Sequence, residues 1–215
     1  ERALRAGDAL RSLVPDAGHL IHMPTHIDVL CGNYKDVIDR NELATSADKK
    51  YLAREGAVNF YSLYRCHNYH FKTYGAMFLG QYGPALEAAE EMAAAISEDL
   101  LRVESPSMAD WLEAFVSIKL HVYIRFGKWQ EIIAAPLPAD QKLYCVTTAM
   151  LHYAKAVAYA ASFNVPAAEK EARLFDEALA RIPESRCLFN NASLDILAVA
   201  AEMMKGEIEY RKLNF

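Results

Sequence analysis

Apolar residues recur three and four positions apart over most of the chain, which is the spacing of one buried face on an α-helix. Short breaks containing proline or glycine interrupt this pattern near residues 14–18, 104–106, 135–138 and 182–185. The pattern predicts an all-α fold with helices over residues 1–13, 18–31, 34–46, 50–79, 82–103, 107–126, 128–134, 142–162, 165–181 and 190–206. Because the breaks are short, we expect one continuous helical domain over residues 1–215.

Three of the predicted helix junctions carry the same short motif. Each has a glycine, a polar residue, an aromatic residue and then, three positions later, a small or branched apolar residue, within 31–38, 79–86 and 126–133. The glycines are expected to adopt the left-handed conformation that ends a helix, and the aromatic ring to fill the gap between the two helices of a hairpin. A fourth, degenerate copy begins at residue 163, with Asn164 as the substitute for glycine near the turn.

This motif resembles the turn between helices A and B of the tetratricopeptide repeat. The resemblance covers about residues 15–206 and implies a right-handed solenoid of about four antiparallel helix hairpins, with turns near 32, 80, 127 and 163. The spacing is longer than in that family, since 48 residues separate Gly32 from Gly80, against about 34. Longer helices, or an inserted stretch at 46–55, would account for the excess. Such a solenoid presents a concave surface, which implies a protein or peptide partner.

Composition narrows the classes of partner. The formal net charge is −5 over 215 residues, without the clustered lysine and arginine that neutralise phosphates, so we expect no nucleic-acid partner. No apolar run reaches about 18 residues, so we expect no membrane span.

The four cysteines are widely spaced without a Cys-x-x-Cys pair, which favours free thiols and a cytoplasmic location. The chain starts within a helical pattern and ends without a polar capping helix, so we expect a fragment of a longer protein, of undetermined oligomeric state.

Six of the seven histidines occupy related places before the repeat turns. His19, His22 and His26 share one helical face because they are three and four residues apart. The first and second turns each have one histidine 13 residues before the turn glycine and another 10 residues before it. The first and third turns each have a histidine 6 residues before the glycine. In tetratricopeptide arrays these positions face the concave groove. The candidate groove residues are therefore His19, His22, His26, His67, His70, His121 and Tyr74.

Different functional hypotheses remain open on the sequence alone. In the first, the groove binds a protein or peptide and the histidines are polar groups of its surface. In the second, the chain is a metal-binding protein or a metalloenzyme, in which two adjacent helices bring four histidines together on a transition metal such as Zn, Cu or Fe, which imidazole binds well. Such a site would keep an open coordination position for water or substrate. The four predicted metal ligands are His22, His26, His67 and His70. In the third, the chain is a purely structural segment of a longer solenoid.

The sequence assigns no reaction to the chain. It contains no nucleotide-binding glycine motif, no zinc-protease motif and no serine-hydrolase motif. The stretches His-Met-Pro-Thr-His-Ile at 22–27 and His-Asn-Tyr-His-Phe at 67–71 resemble a signature of tetratricopeptide-repeat proteins that have no established activity. The resemblance therefore implies a fold and leaves open whether the protein is an enzyme.

Overall fold

The computed structural model describes residues 2–214 and is mostly helical. In chain order its α-helices are α1 Arg2–Leu10, α2 Gly18–His22, α3 Thr25–Cys31, α4 Tyr34–Glu55, α5 Ser62–Phe78, α6 Tyr82–Ala94, α7 Glu98–Leu101, α8 Met108–Leu112, α9 Ile118–Arg125, α10 Trp129–Ala134, α11 Cys145–Ala161, α12 Val165–Leu179 and α13 Ser193–Arg211. A 3-10 helix over Glu113–Ser117 joins α8 to α9. A small antiparallel pair, β1 (Cys187–Leu188) and β2 (Asn191–Ala192), precedes α13. The predicted all-α class is confirmed.

Several predicted helix boundaries are wrong, and the causes are local. The predicted break at 47–49 lies inside α4, which runs for 22 residues and ends at Gly56, where φ is +76°. A longer helix therefore absorbs part of the long repeat spacing. The predicted helix 18–31 is divided at Pro24, whose nitrogen has no hydrogen to donate. The predicted helix 82–103 ends at Ala94 and resumes as the short α7.

The repeat turns share one backbone geometry. Gly32, Gly80 and Gly127 have φ between +65° and +76°, so their predicted left-handed conformation is confirmed. In each turn the following residue donates its N–H to the carbonyl oxygen five positions earlier, at 2.8–2.9 Å, which closes the first helix. The fourth turn has the same hydrogen bond, but its left-handed residue is Phe163 at φ +61°, not the predicted Asn164. Asn164 instead caps α12 by accepting a hydrogen bond from a backbone N–H.

The helices of the described residues group into two compact units, residues 2–100 and 101–214. In the first unit α4 packs against α2 and α5, and α5 also packs against α6. In the second unit α11 is central and contacts α9, α10, α12 and α13 around an apolar core. A single continuous domain over 1–215 stays a prediction. Within residues 2–214, no helix combines the length and the apolar character that crossing a bilayer requires.

The first unit buries an unusual number of polar side chains. An apolar cluster of Ile21, Ala44 and Ala47 lies between α2 and α4. The polar residues buried in the same unit include His22, Thr25, Asp28, Asn41, Thr45, Asp48, Ser62, Arg65, His67, Asn68, Lys72 and Thr73. Burying a polar group costs free energy unless it is hydrogen-bonded. These buried groups therefore need hydrogen-bond partners within the first unit.

Candidate metal centre

Three imidazole rings converge where α2, α3 and α5 meet. The Nε2 atom of His26 lies 3.0 Å from Nε2 of His22 and 3.3 Å from Nε2 of His67. The potential ligand nitrogens of all three residues lie within 4.8 Å of one another. His22 is fully buried, His67 is 9% exposed and His26 is partly exposed. The three rings form one compact group at the edge of the interior, here called the histidine triad.

Pro24 keeps two members of the histidine triad on one face although it divides the helix. Met23 and Pro24 both have right-handed helical φ and ψ, so the chain continues from α2 into α3 with a helical course. Residues four positions apart on such a course are neighbours on one face. The ring centres of His22 and His26 are accordingly 4.8 Å apart.

Asn41 on α4 fixes the tautomer of His22. The Asn41 amide nitrogen donates to the Val37 carbonyl oxygen at 2.7 Å and to Thr25 Oγ1 at 3.3 Å, which identifies the other amide atom as oxygen. That oxygen lies 2.8 Å from His22 Nδ1, so Nδ1 carries the hydrogen and donates it. Nε2 of His22 therefore presents a lone pair to His26 and His67. Thr25 completes the network by donating to the His22 carbonyl oxygen at 2.7 Å.

Burial keeps the histidine triad neutral. It is the main cause that lowers the pKa of His22 to about 3 and the pKa of His67 to about 2, and it also lowers the pKa of His26. The neighbouring imidazoles act in the same direction, because two positive charges so close together would repel each other. Neutral imidazole is the form that binds a metal ion. The triad is therefore in its metal-binding form at neutral pH.

The spacing of the triad fits a shared metal ion. A tetrahedral ion with metal–nitrogen bonds of about 2.0–2.1 Å holds its nitrogen ligands about 3.3–3.4 Å apart, and ligands at right angles lie about 3.0 Å apart. The observed 3.0 and 3.3 Å agree with these values. The centre of an imidazole ring lies about 1.1 Å beyond its ligand nitrogen as seen from the metal. The centres of two rings that bind one ion are therefore expected about 4.5–5.3 Å apart. Two of the three ring pairs, at 4.5 and 4.8 Å, lie within this range, and the third, at 5.4 Å, lies just above it.

Hydrogen bonds among the three imidazoles would satisfy their nitrogen atoms less well than a shared metal ion would. His22 Nε2 has no hydrogen, so it can only accept. If His26 Nε2 carries a hydrogen, that one hydrogen has to serve both contacts. If His26 Nε2 instead accepts a hydrogen from His67, it faces His22 Nε2 with no hydrogen between the two atoms. A metal ion would instead bind a lone pair from each ring. The arrangement therefore suits a metal better than it suits a hydrogen-bonded chain.

Two further rings border the triad. The Phe71 ring centre lies 4.4–4.8 Å from each of the three imidazoles. His19 stacks on His22 with ring centres 5.4 Å apart and planes inclined by 17°, and its ring centre is 6.2 Å from that of His67. The Tyr64 ring contacts His19 at 4.4 Å. An apolar ring and a stacked imidazole therefore form part of the lining of the site.

The other predicted site residues lie outside the triad. His70, one turn after His67 on α5, is partly exposed, and among residues 2–214 it does not belong to the group of ligand atoms within 4.8 Å of one another. Tyr74 packs its ring on Phe78 at 4.5 Å. His121 belongs to the second unit, where it lines a small cavity with Ser193, and burial lowers its pKa.

The buried carboxylates of the first unit are engaged by other groups. Asp28 forms a two-contact ion pair with Arg11 at 2.7 and 2.8 Å. Asp48 accepts hydrogen bonds from the Tyr61 hydroxyl at 2.8 Å and the Asn68 amide at 2.7 Å. Burial raises the pKa of Asp48, and these two hydrogen bonds oppose that rise. Both carboxylates therefore have partners other than the histidine triad.

Sequence reasoning missed Asn41, Thr25 and Phe71 as parts of the site. Asn41 lies within the predicted helix 34–46 and belongs to no recognisable motif. It reaches His22 because α4 packs on α2, and the sequence does not show that contact. Phe71 stands in the quoted stretch 67–71, but an aromatic residue at helical spacing is equally typical of a core.

Comparison with known proteins assigns no family, because no family model, curated protein or solved structure matches the chain. The functional argument therefore depends on the geometry of the site.

Proposed function

We propose that the chain binds one divalent transition-metal ion through Nε2 of His22, His26 and His67. The observation that carries this proposal is the convergence of the three nitrogens, with separations of 3.0 and 3.3 Å from His26 to its two neighbours. The hydrogen bond from His22 to Asn41 supports it, because it leaves the nitrogen nearest to His26 free to bind. An ion held in this way would link α2 and α3 to α5.

Zinc, copper and iron are the candidate ions, because imidazole binds all three. Zinc suits the near-tetrahedral spacing of the nitrogens. Copper is expected to bind most tightly of the three in direct competition, following the general affinity order of divalent ions. The ion bound in a cell also depends on which metal is available there, so metal content is measured on protein made in media of defined composition.

Elemental analysis of the purified, untagged protein tests the proposal. Protein made in zinc-supplemented medium is expected to carry about one equivalent of metal per chain. His26→Ala is the informative variant, because His26 is partly exposed and its removal disturbs the interior less than removal of His22 would. It is expected to lose the metal, whereas the matched control His70→Ala, from the next turn of α5, is expected to keep it.

The outcomes separate the triad from other binding places. Equal metal content in the wild type and in His26→Ala would mean that the ion binds elsewhere. A wild type that takes up no zinc, copper or iron on dialysis against each ion would contradict the proposal outright. Circular dichroism of both variants establishes that any loss of metal is not a loss of fold.

We further propose that the helix pairs are tetratricopeptide-like repeats of a solenoid that binds a protein or peptide partner. The four turns with the same left-handed closure support the repeat. Because His22 and His67 are buried and His26 is assigned to the metal, the partly exposed His19, His70 and Tyr74 are the groove residues of the first unit left to contact such a partner. Peptide-array binding to the wild type and to Tyr74→Ala tests this, and identical binding would count against it.

A cytoplasmic location forms part of the same proposal. All four cysteines lie within the described residues and are free thiols, as the sequence predicts. Free thiols are typical of proteins that work in a reducing compartment. Fractionation of cells that produce the full-length protein tests the location, and recovery with an oxidising compartment would contradict it.

A further inference from the structure

We propose that the metal ion held by the histidine triad keeps a fourth coordination position, which takes a small monoanion from solution. This inference rests on the metal site proposed above. An open position is the feature that separates catalytic zinc sites from structural ones, in which four protein ligands enclose the ion. The proposal therefore concerns what the site can do once it is loaded.

The charge balance of the site favours an anionic ligand. Three imidazoles bind as neutral groups, so they leave the double charge of a divalent ion uncompensated. The buried carboxylates of this unit are already engaged, Asp28 by Arg11 and Asp48 by Tyr61 and Asn68. An uncompensated charge that is largely removed from water is costly. A monoanion at the fourth position would lower that cost.

His19 is the neighbouring side chain with the chemistry of a fourth ligand, but its position does not suit that role. Its ring centre is 6.2 Å from that of His67, which is farther than the 5.4 Å between the most widely separated pair of triad rings. Its plane is inclined by 17° to that of His22, which is the geometry of a stacked neighbour. His19 therefore borders the ion without binding it.

Phe71 limits the size and the character of the ligand. Its ring lies 4.4–4.8 Å from all three imidazoles, so an apolar surface stands beside the ion. Such a surface provides no hydrogen-bond partner for the distant groups of a large polar ligand. The ligand class that fits both the charge and this wall is a compact monoanion, for which azide is a suitable probe.

Substitution with cobalt(II) tests the open position, because the visible absorption of cobalt reports the number and type of its ligands. Protein loaded with cobalt is titrated with sodium azide at neutral pH, and bound cobalt is measured before and after the titration. We expect a saturable change in the visible spectrum while about one equivalent of cobalt stays bound. His70→Ala is the matched control and is expected to bind cobalt and to respond to azide as the wild type does. His19→Ala removes a ring of the site lining and is expected to keep its cobalt and to show a saturable azide response of its own.

Each alternative outcome has a different meaning. A wild type that binds cobalt but does not respond to azide would overturn the open position. A response that appears only in His19→Ala would overturn it as well, because it would identify His19 as the fourth ligand. Loss of cobalt during the titration would show that azide competes with the protein instead of joining its site. A wild type that binds no cobalt would contradict the three-histidine site itself.

Discussion

Replacing Asn41 tests whether metal binding depends on the tautomer of His22. Asn41→Leu keeps roughly the size of a fully buried side chain but removes the oxygen that lies 2.8 Å from His22 Nδ1. Without that acceptor, the hydrogen of His22 is free to occupy Nε2, the atom that the metal needs. Asn41→Asp keeps an acceptor at the same place and adds a negative charge, but it loses the amide hydrogens that Asn41 donates to Val37 and Thr25. The two substitutions therefore have opposite expected effects on the same contact.

The size of the effect follows from the hydrogen bonds that are lost. Removing the hydrogen-bond partner of a metal-binding histidine typically lowers metal affinity by about 10–100-fold, which corresponds to about 1.4–2.8 kcal/mol. Leaving His22 Nδ1 buried without an acceptor costs roughly a further 1–3 kcal/mol of folding stability. We therefore expect Asn41→Leu to bind zinc about 10–100-fold more weakly than the wild type. Asn41→Asp is expected to bind zinc at least as tightly as the wild type, because a carboxylate makes the ring a stronger ligand.

Competition with a chromophoric zinc chelator measures the three affinities, with circular dichroism as the check on folding. His70→Ala is the control, since it removes an imidazole near the site without removing a ligand of the triad. Equal affinities in the wild type, Asn41→Leu and Asn41→Asp would refute the role of the tautomer. If Asn41→Leu fails to fold, Asn41→Asp still decides, because markedly weaker zinc binding in that variant would contradict the reasoning.

The metal-free protein is expected to lose roughly 1 kcal/mol of folding stability per pH unit for each of the buried His22 and His67 as the pH falls from 6.5, the ordinary pKa of histidine, towards their lowered pKa values of about 3 and about 2. The reason is that the unfolded chain then binds protons that the folded protein excludes. Urea unfolding with a chelator present at about pH 7 and pH 5.5 measures this, and equal midpoints would contradict it. A Cβ at Gly18 would lie 2.0 Å from a carboxylate oxygen of α4, so Gly18→Ala is expected to lower the free energy of unfolding by roughly 1–3 kcal/mol. A Cβ at Gly206 would meet open space, so Gly206→Ala is the control and is expected to lose no stability. Thermal unfolding compares the two variants. Burial raises the pKa of the Cys66 thiol to about 12, so Cys66 should react with a disulfide reagent only in denaturant, while the exposed Cys31 should react in the folded protein.

The repeat turns could largely be predicted from the sequence because glycine acts locally. A left-handed residue at the end of a helix favours glycine whatever lies around it, so Gly32, Gly80 and Gly127 are found without knowledge of the packing. Phe163 could not be found in this way, since the left-handed conformation costs a non-glycine residue about 1–2 kcal/mol. The Arg211 guanidinium lies 5.0 Å over the Phe163 ring, a contact between residues far apart in sequence. Such a contact can offset the free-energy cost of the left-handed backbone at Phe163, but the residues next to Phe163 in the sequence do not reveal it.

The candidate site could be predicted only in part, because the sequence gives spacing along a helix but not which part of that helix a neighbouring helix covers. His67 and His70 are three residues apart, so their side chains point about 60° apart around α5. In the structure α2 packs against α5. His67 is buried there, whereas His70 lies partly at the surface. The packing of α5 therefore selects which of its two histidines joins the triad.

The buried polar groups around the triad are better explained by ligand binding than by stability. Apolar residues of similar size at buried polar positions are often neutral or stabilising, so a core selected for stability alone would have little use for three neutral imidazoles. Asn41 and Thr25 hold His22 in a single tautomer, which an imidazole that merely fills space does not require. A metal ion would turn the crowded lone pairs of the triad into bonds, and it would join two separate segments of the chain. Metal binding would then contribute directly to the stability of the first unit, because a ligand that binds the folded state stabilises it.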